Sequence, residues 1–458
     1  MSSPDPRHLV IPVETLNREF DPKLLVALIA CKRGWRTTIG SRTLLHERLH
    51  RLPPSIYLSK GVRSGSKPIF RLLRKFGHVA VALDEEGLLR WPEDVLLTMM
   101  LDPEVFNFPR LLFAWGESNA ETWRKFAGYE GAPIIKTGNP RVDMLRPELR
   151  DFYADDVARL KAEHGDFVLF SSNFSMVNHF IPNRVRFRVA QHADDTKAEA
   201  ARDALVAHKA TLYTHFREML PQLAKAIAPA TLLVRPHPSE NPETWAELFD
   251  DVPNVTVLHE GPIAPWLMAA RALVQNSCTS AVEAAVLGTP AFAFQPIVSE
   301  RYDQELSIGL SESHGSAESL IAAICGQMEN GADVTLSQEQ RDLLGHHISA
   351  LEGPLSAERI LAAIEENRDR LTARRSLWGW LEGLYAHRKR LRSRRKRSAS
   401  KTNKSSRDYT EHKFGGISRE EIAGKIARLR ALRPDLPEVE IVEVADSIFE
   451  LQRREPSR

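Results

Sequence analysis

The chain has little of what would place it in several function classes. Only three of its 458 residues are cysteine, Cys31, Cys278 and Cys325, an odd number set far apart. That argues against a disulfide framework or a cysteine zinc site and fits a reducing compartment. No run approaches the roughly 18 apolar residues of a membrane span. The opening "MSSPDPRHLVIPVETL" has no basic region leading into a long apolar run, so no signal peptide is expected and the expected location is cytoplasmic. Neither GxGxxG nor GxxxxGK[ST] occurs, so a dehydrogenase or a P-loop enzyme lacks its fingerprint. The net charge is only +2, so no overall field points to nucleic acid, and none is expected as a partner.

What is present is an ordinary soluble composition, 43% hydrophobic and 27% charged, in a chain long enough for two or three domains. The first part alternates strand-like and helix-like segments. "HLVIPVET" (8–15), "RTTIG" (36–40), "SIYLSKGV" (55–62), "HVAVALDEEG" (78–87), "RLLFAWGE" (110–117) and "GAPIIKTGNPRVDML" read as strands with their exits. "PKLLVALIACKRGW", "RTLLHERLHRL" and "KPIFRLLRKFG" read as helices. The pattern restarts at "DFVLFSSNF" (166–174) and continues through "ATLLVRPHP", "NVTVLHEG" and "ALVQNSCTSAVEAAVLGTPAFAFQPI". Such alternation predicts parallel sheets covered by helices. The expected organisation is an α/β chain with a first Rossmann-like domain over 1–150 and a second over 151–365. A basic, disordered linker over 366–408 and a small α+β tail module over 409–458 follow.

Ligands of open α/β sheets bind beyond the carboxyl ends of the strands. Three segments of the second domain fall there. "SSNFSMVNH" includes Asn173. "RPHPSENPETW" places Arg235 and His237 at a strand end, each before a proline that restricts its backbone. "QNSCTSAVEAAVLG" places Ser277, Thr279 and Ser280 where a small-residue helix begins. Hydroxyls at a helix N-terminus suit phosphate; they also suit plain N-capping. Joined with the His/Arg strand end, they favour a phosphate-binding crevice. Glu283, one turn into the helix, is placed to bond a ribose or to remain a solvated helix residue.

These residues carry a resemblance. "RPHP" followed by "NSCTSAVEAAVLGTP" resembles the His-Pro and Ser/Thr motifs of GT-B glycosyltransferases that use cytidine nucleotides, among them sialyltransferases, capsule Kdo transferases and CDP-glycerol glycerophosphotransferases. "TGNPRVD" (137–143) resembles the Gly-x-Pro-Arg-x-Asp segment of the last two, and the whole-chain organisation resembles bacterial surface carbohydrate biosynthesis proteins. The resemblance covers roughly residues 8–365. It implies a GT-B-like fold with two domains facing a cleft, a nucleotide-sugar donor bound as substrate, and a glycan or lipid-linked acceptor. His237, Ser277, Thr279 and Ser280 would hold the nucleotide phosphate. No metal and no further cofactor are expected, and the chain has no DxD loop.

Transfer to a hydroxyl needs a base, and "VALDEEGL" puts Asp84, Glu85 and Glu86 directly after a strand. Clustered carboxylates raise one another's pKa, which suits a base at neutral pH; Glu85 and Glu86 are favoured. Arg18 and Lys60 follow other strands of the same domain and are candidate contacts to an anionic substrate. Finally, 387–407 holds eleven Lys/Arg and follows the aromatics Trp378 and Trp380. It reads as a solvated linker, a nucleic-acid arm or a contact with an anionic membrane surface, the last being favoured.

Overall fold

A computed structural model describes residues 7–88, 92–181, 195–331, 335–372, 374–398 and 414–454. The chain divides into two compact units. The first is Met1–Gly87, Met100–Phe152 and Ile348–Arg458; the second is Leu88–Met99 and Tyr153–His347.

The first unit holds β1 (His8–Val13), β2 (Arg36–Ser41), β3 (Ile56–Ser59), β4 (Val79–Leu83), β5 (Leu112–Ala114) and β6 (Ile134–Lys136), all parallel. The second holds β7 (Phe167–Ser171), β8 (Thr231–Arg235), β9 (Val255–Val257), β10 (Ala272–Gln275), β11 (Ala291–Phe294) and β12 (Glu312–His314), again all parallel. Two Rossmann-like βα units are therefore present, as the alternating pattern predicts. The strands are apolar runs because both faces are covered. Val168, Phe170, Leu232 and Val234 enter one core with Phe216 and Trp245, while Phe167, Leu169 and Leu233 enter the opposite one with Trp266.

The helices used below are α1 (Leu16–Lys32), α2 (Lys67–Phe76), α3 (Asp195–Ala226), α4 (Ser280–Leu287), α5 (Ser356–Glu366), α6 (Leu377–Ser398) and α7 (Arg419–Leu432). Part of the charged segment before α3 lies outside the described residues.

The C-terminal part differs from the expected organisation. The second unit ends at His347, not 365, and α5 packs on α1 in the first unit. The expected linker contains α6, a helix laid on α2 by its apolar residues; the remainder of the basic stretch, 399–407, lies outside the described residues. The expected tail module is part of the first sheet. β13 (Val439–Ala445) and β14 (Ile448–Arg453) form a hairpin whose second strand pairs antiparallel with β2, giving the order β13-β14-β2-β1-β3-β4-β5-β6. The hairpin buries Ile448, Phe449 and Leu451, which compositional reading of a charged tail does not reveal. Gly40 permits this docking: an added Cβ would overlap the Ser447 carbonyl.

The motif "TGNPRVD" is the fastener for the returning chain. Gly138, at φ +76, lies where a Cβ would meet the Ser349 carbonyl and Ser356. Asn139 caps the turn Pro140–Asp143, and Asp143, fully buried, accepts the N–H groups of Ser356 at 2.8 Å and Ala357 at 2.9 Å. Its carboxylate thus caps the start of α5. Arg146 donates to the carbonyls of Ala350 and Gly353.

Candidate functional site

In the second sheet the order is β12-β11-β10-β7-β8-β9. The chain builds outward from β7 through β8 to β9, then crosses back to start β10 on the other side of β7. The reversal between β7 and β10 is the topological switch point where such sheets bind ligands. All three predicted strand-end segments leave from this place, after β7, β8 and β10.

Glu240 ties two of them together. Its buried carboxylate accepts from Ser172 Oγ at 2.6 Å, the Phe174 N–H at 2.7 Å and Trp245 Nε1 at 2.9 Å, and the His237 N–H points to it at 3.4 Å. Burial raises its pKa, against these four donors. The loop after β7 and the turn after β8 are thereby held as one piece. Asn173 joins the third segment, donating from Nδ2 to the Ser277 carbonyl at 3.2 Å.

His237 is exposed at the rim. Its Nδ1 accepts the Ser239 N–H at 3.1 Å, so the neutral ring carries its proton on Nε2, the tautomer that donates to an anion. Arg235 is different. Its strand-end position suggested a phosphate ligand, but the side chain is buried. Nη1 and Nη2 donate to the carbonyls of Glu260 and Gly261, with the guanidinium over the Trp266 ring at 5.6 Å. Burial lowers its pKa to about 10. Arg235 anchors the loop after β9.

The start of α4 does not behave as an ordinary cap. Thr279 sits at the N-cap position without a side-chain capping bond, and Ser280 Oγ is buried without a partner. Ser277 has φ +48, a left-handed conformation rare for serine, and its Oγ accepts the Gln304 N–H. Glu283 is buried one turn in, within the field of Arg235.

Sequence reading missed Lys209. It lies in α3, a helix crowded with charge, yet it is buried. Its Nζ donates to Asn276 Oδ1 at 2.9 Å, beside the β10 exit, and burial lowers its pKa to about 8. Lys209 thus puts a buried cation on Asn276, the residue that leads from β10 towards the start of α4.

The first sheet has its own switch point between β1 and β3, since β2 and β3 flank β1. Five acids and five bases gather at these strand ends: Glu14, Glu19, Asp84, Glu85 and Glu86 with Arg18, Lys23, Arg42, Lys60 and Arg63. The structure sorts the predicted bases. Glu85, favoured from sequence, is buried and paired with Lys23 at 3.1 Å, and Lys23 is shared with Glu19 at 2.8 Å and the Pro12 carbonyl. Burial pushes Glu19 up, but Lys23, Lys60 and Arg18 hold it at about 2. Glu86 pairs with Arg63, and although burial opposes it, Arg63, Lys60 and Arg18 hold its carboxyl below the ordinary range. Asp84 is the one whose pKa rises, through burial and its two carboxylate neighbours. It accepts the Glu86 N–H at 3.1 Å and remains partly accessible. Lys60 pairs with Glu14, and Arg18 lies 3.6 Å from Glu19, so both predicted substrate contacts have internal partners.

"HERLH" (46–50) has the HExxH spacing of zinc helices, but its side chains diverge. His46 Nε2 bonds Tyr57 Oη at 2.6 Å, Glu47 pairs with Arg394, and His50 meets the His387 ring at a tilt of 45°. Among the described residues no three His, Cys, Asp or Glu gather as a metal site.

The sequence matches no family model and no curated protein. Among solved structures, the chain is similar to a UDP-GlcNAc 2-epimerase of Methanocaldococcus jannaschii in complex with UDP-GlcNAc and UDP. The identity is 14% and the TM-score 0.46, over 78% of this chain and 99% of that one. It is also similar to the wall teichoic acid polymerase TagF, at 8% identity and TM-score 0.47 over 80% and 90% of the two chains. A third is a UDP-GlcNAc 2-epimerase of Neisseria meningitidis bound to UDP-GlcNAc, at 14% identity and TM-score 0.41 over 71% and 79%.

Proposed function

We propose that the chain is a GT-B-type transferase that moves a sugar from a CMP-activated donor to a glycan or lipid-linked acceptor of surface carbohydrate synthesis. What supports this reading is that the loops carrying His237 and Ser277–Ser280 leave strands on either side of β7 and are tied to the β7 exit through Glu240 and Asn173, with Ser280 Oγ buried and unpartnered. The donor phosphate is assigned to His237 Nε2, the two hydroxyls and the start of α4, with Lys209 supplying charge. When the glycosidic C–O bond breaks, its electron pair stays on the phosphate oxygen, and these donors stabilise the charge. Ser277 and Asn173 hold the loop in shape; Glu283 is assigned to the ribose. The acceptor proton goes to Asp84, which burial and two carboxylate neighbours make a stronger base than an ordinary carboxylate. The choice of cytidine rests on the motif resemblance.

Calorimetry with CMP, CDP and UDP tests the reading. CMP should bind, and His237→Ala and Ser280→Ala should each weaken it by about ten- to a hundredfold, the range for a lost hydrogen bond to a charged group. Asp84→Asn should leave that binding intact and remove turnover. Preference for CDP would indicate polyol phosphate transfer, and preference for UDP a UDP-sugar transferase or epimerase. Binding of none would overturn the nucleotide site and leave a non-catalytic scaffold.

A further inference from the structure

Helix α6 has two faces. One is docked: Trp380 Nε1 donates to the His50 carbonyl at 3.2 Å, His387 is buried against the Glu47 carbonyl at 2.9 Å, and Leu384 packs on the core of Phe70 and Phe76. Gly383 lies so close to Phe76 that a Cβ would overlap the ring. The register of α6 on the first unit is therefore fixed.

That register turns a mixed set of residues outward. Leu377, Trp378, Leu381 and Tyr385 are 66%, 78%, 45% and 74% exposed, four of the seven large apolar residues that the described surface leaves open. Arg388, Lys389 and Arg392 are exposed further along the same helix. At about 100° per residue these seven positions fall within an arc of roughly 120°. Glu382, at the arc's margin, is neutralised by Lys75 at 2.5 Å. A solvated helix face has no reason to present a tryptophan, a tyrosine and two leucines in line, and a phosphate-tracking arm needs cations without leucine.

We infer that this face of α6 docks on an anionic bilayer, with Trp378, Leu381 and Tyr385 entering the headgroup boundary and the cations meeting lipid phosphates. Sequence reading assigned Trp378, Trp380 and the basic stretch 387–407 to this role; Trp380 is turned inward onto the His50 carbonyl, Leu377, Leu381 and Tyr385 join Trp378 on the outer face, and 399–407 lies outside the described residues. No helix among the described residues is long and apolar enough to cross a membrane, so docking is lateral. The inference is independent of the nucleotide reading.

The test is sedimentation of the full chain with phosphatidylcholine vesicles, plain or containing about one-third phosphatidylglycerol. The protein should follow the anionic vesicles. The triple variants Trp378→Ala/Leu381→Ala/Tyr385→Ala and Arg388→Glu/Lys389→Glu/Arg392→Glu should each lower partitioning by about tenfold or more. Unchanged circular dichroism melts would confirm that folding is intact, as exposed positions predict. Brominated lipid should quench tryptophan emission in the wild type and much less in Trp378→Phe. Partitioning that ignores the apolar triple would overturn the proposal. So would tighter binding to a DNA duplex that only the charge reversal abolishes, which would make α6 a nucleic-acid arm.

Discussion

Lys209 shows how much one buried cation can carry. Taken out of water with a neutral amide for a partner, it is held near half-protonation at about pH 8. A phosphate arriving beside it would favour the charged form. Between about pH 8 and 10 the liganded protein would therefore hold more protons than the free one, and affinity should fall as pH rises through that window. Calorimetry of nucleotide binding above about pH 8 in buffers of different ionisation enthalpy should reveal proton uptake, and Lys209→Met should abolish it. Uptake that survives the substitution would place the proton elsewhere. Lys209 was not legible in the sequence because α3 is studded with charges, and periodicity does not reveal which one faces inward. That His237 follows a strand end and that Thr279 and Ser280 open a helix was legible, because such positions are marked by local residue types. Arg235 was legible as a strand-end cation, but its bonds to two carbonyls depend on where the loop after β9 returns, which no local pattern encodes.

At the scale of elements, the strands from β1 to β11 follow from alternation and punctuation. The path after that does not, because what fixes it is contact over long sequence separation. The turn Pro140–Asp143 with α5 is the clearest case. Burial raises the Asp143 carboxyl to about 6, even though two N–H groups favour its charge. Its unfolded pKa is near 4. The native state thus binds the proton more tightly, and stability contributed here is largest below about pH 4, falls as pH rises to about 6, and is flat above. The two-unit shift corresponds to about 3 kcal/mol. Denaturation of wild type and Asp143→Asn across that range should show the difference drifting in favour of asparagine, since the amide never ionises. A pH-independent difference would mean that the carboxyl keeps its charge. Asp143→Ala, which leaves both N–H groups without their acceptor, should destabilise at every pH by about 1–3 kcal/mol.

On the scale of the whole molecule, the first unit is assembled from three separate stretches of chain and the second from two. A chain ending before residue 414 would lack α7 and both strands of the hairpin. It would lose the burial of Ile448, Phe449 and Leu451, worth about 1.5–3 kcal/mol each. It would also bare the edge of β2. Scanning calorimetry should show the first unit melting earlier or absent and the second unchanged. A single transition lowered as a whole would mean that the two units unfold together.

The same hairpin sets an order of events during synthesis. β2 is complete at Ser41, whereas its edge partner β14 ends at Arg453, about four hundred residues later. At roughly 5–20 residues per second the ribosome takes tens of seconds over that interval. The second unit emerges entire within it and can fold on the nascent chain. The first must wait with an open strand edge, a template for unwanted pairing. The segment most exposed to chaperones and to aggregation is thus the edge of β2, and it is covered only when β14, about four hundred residues further on, has been made.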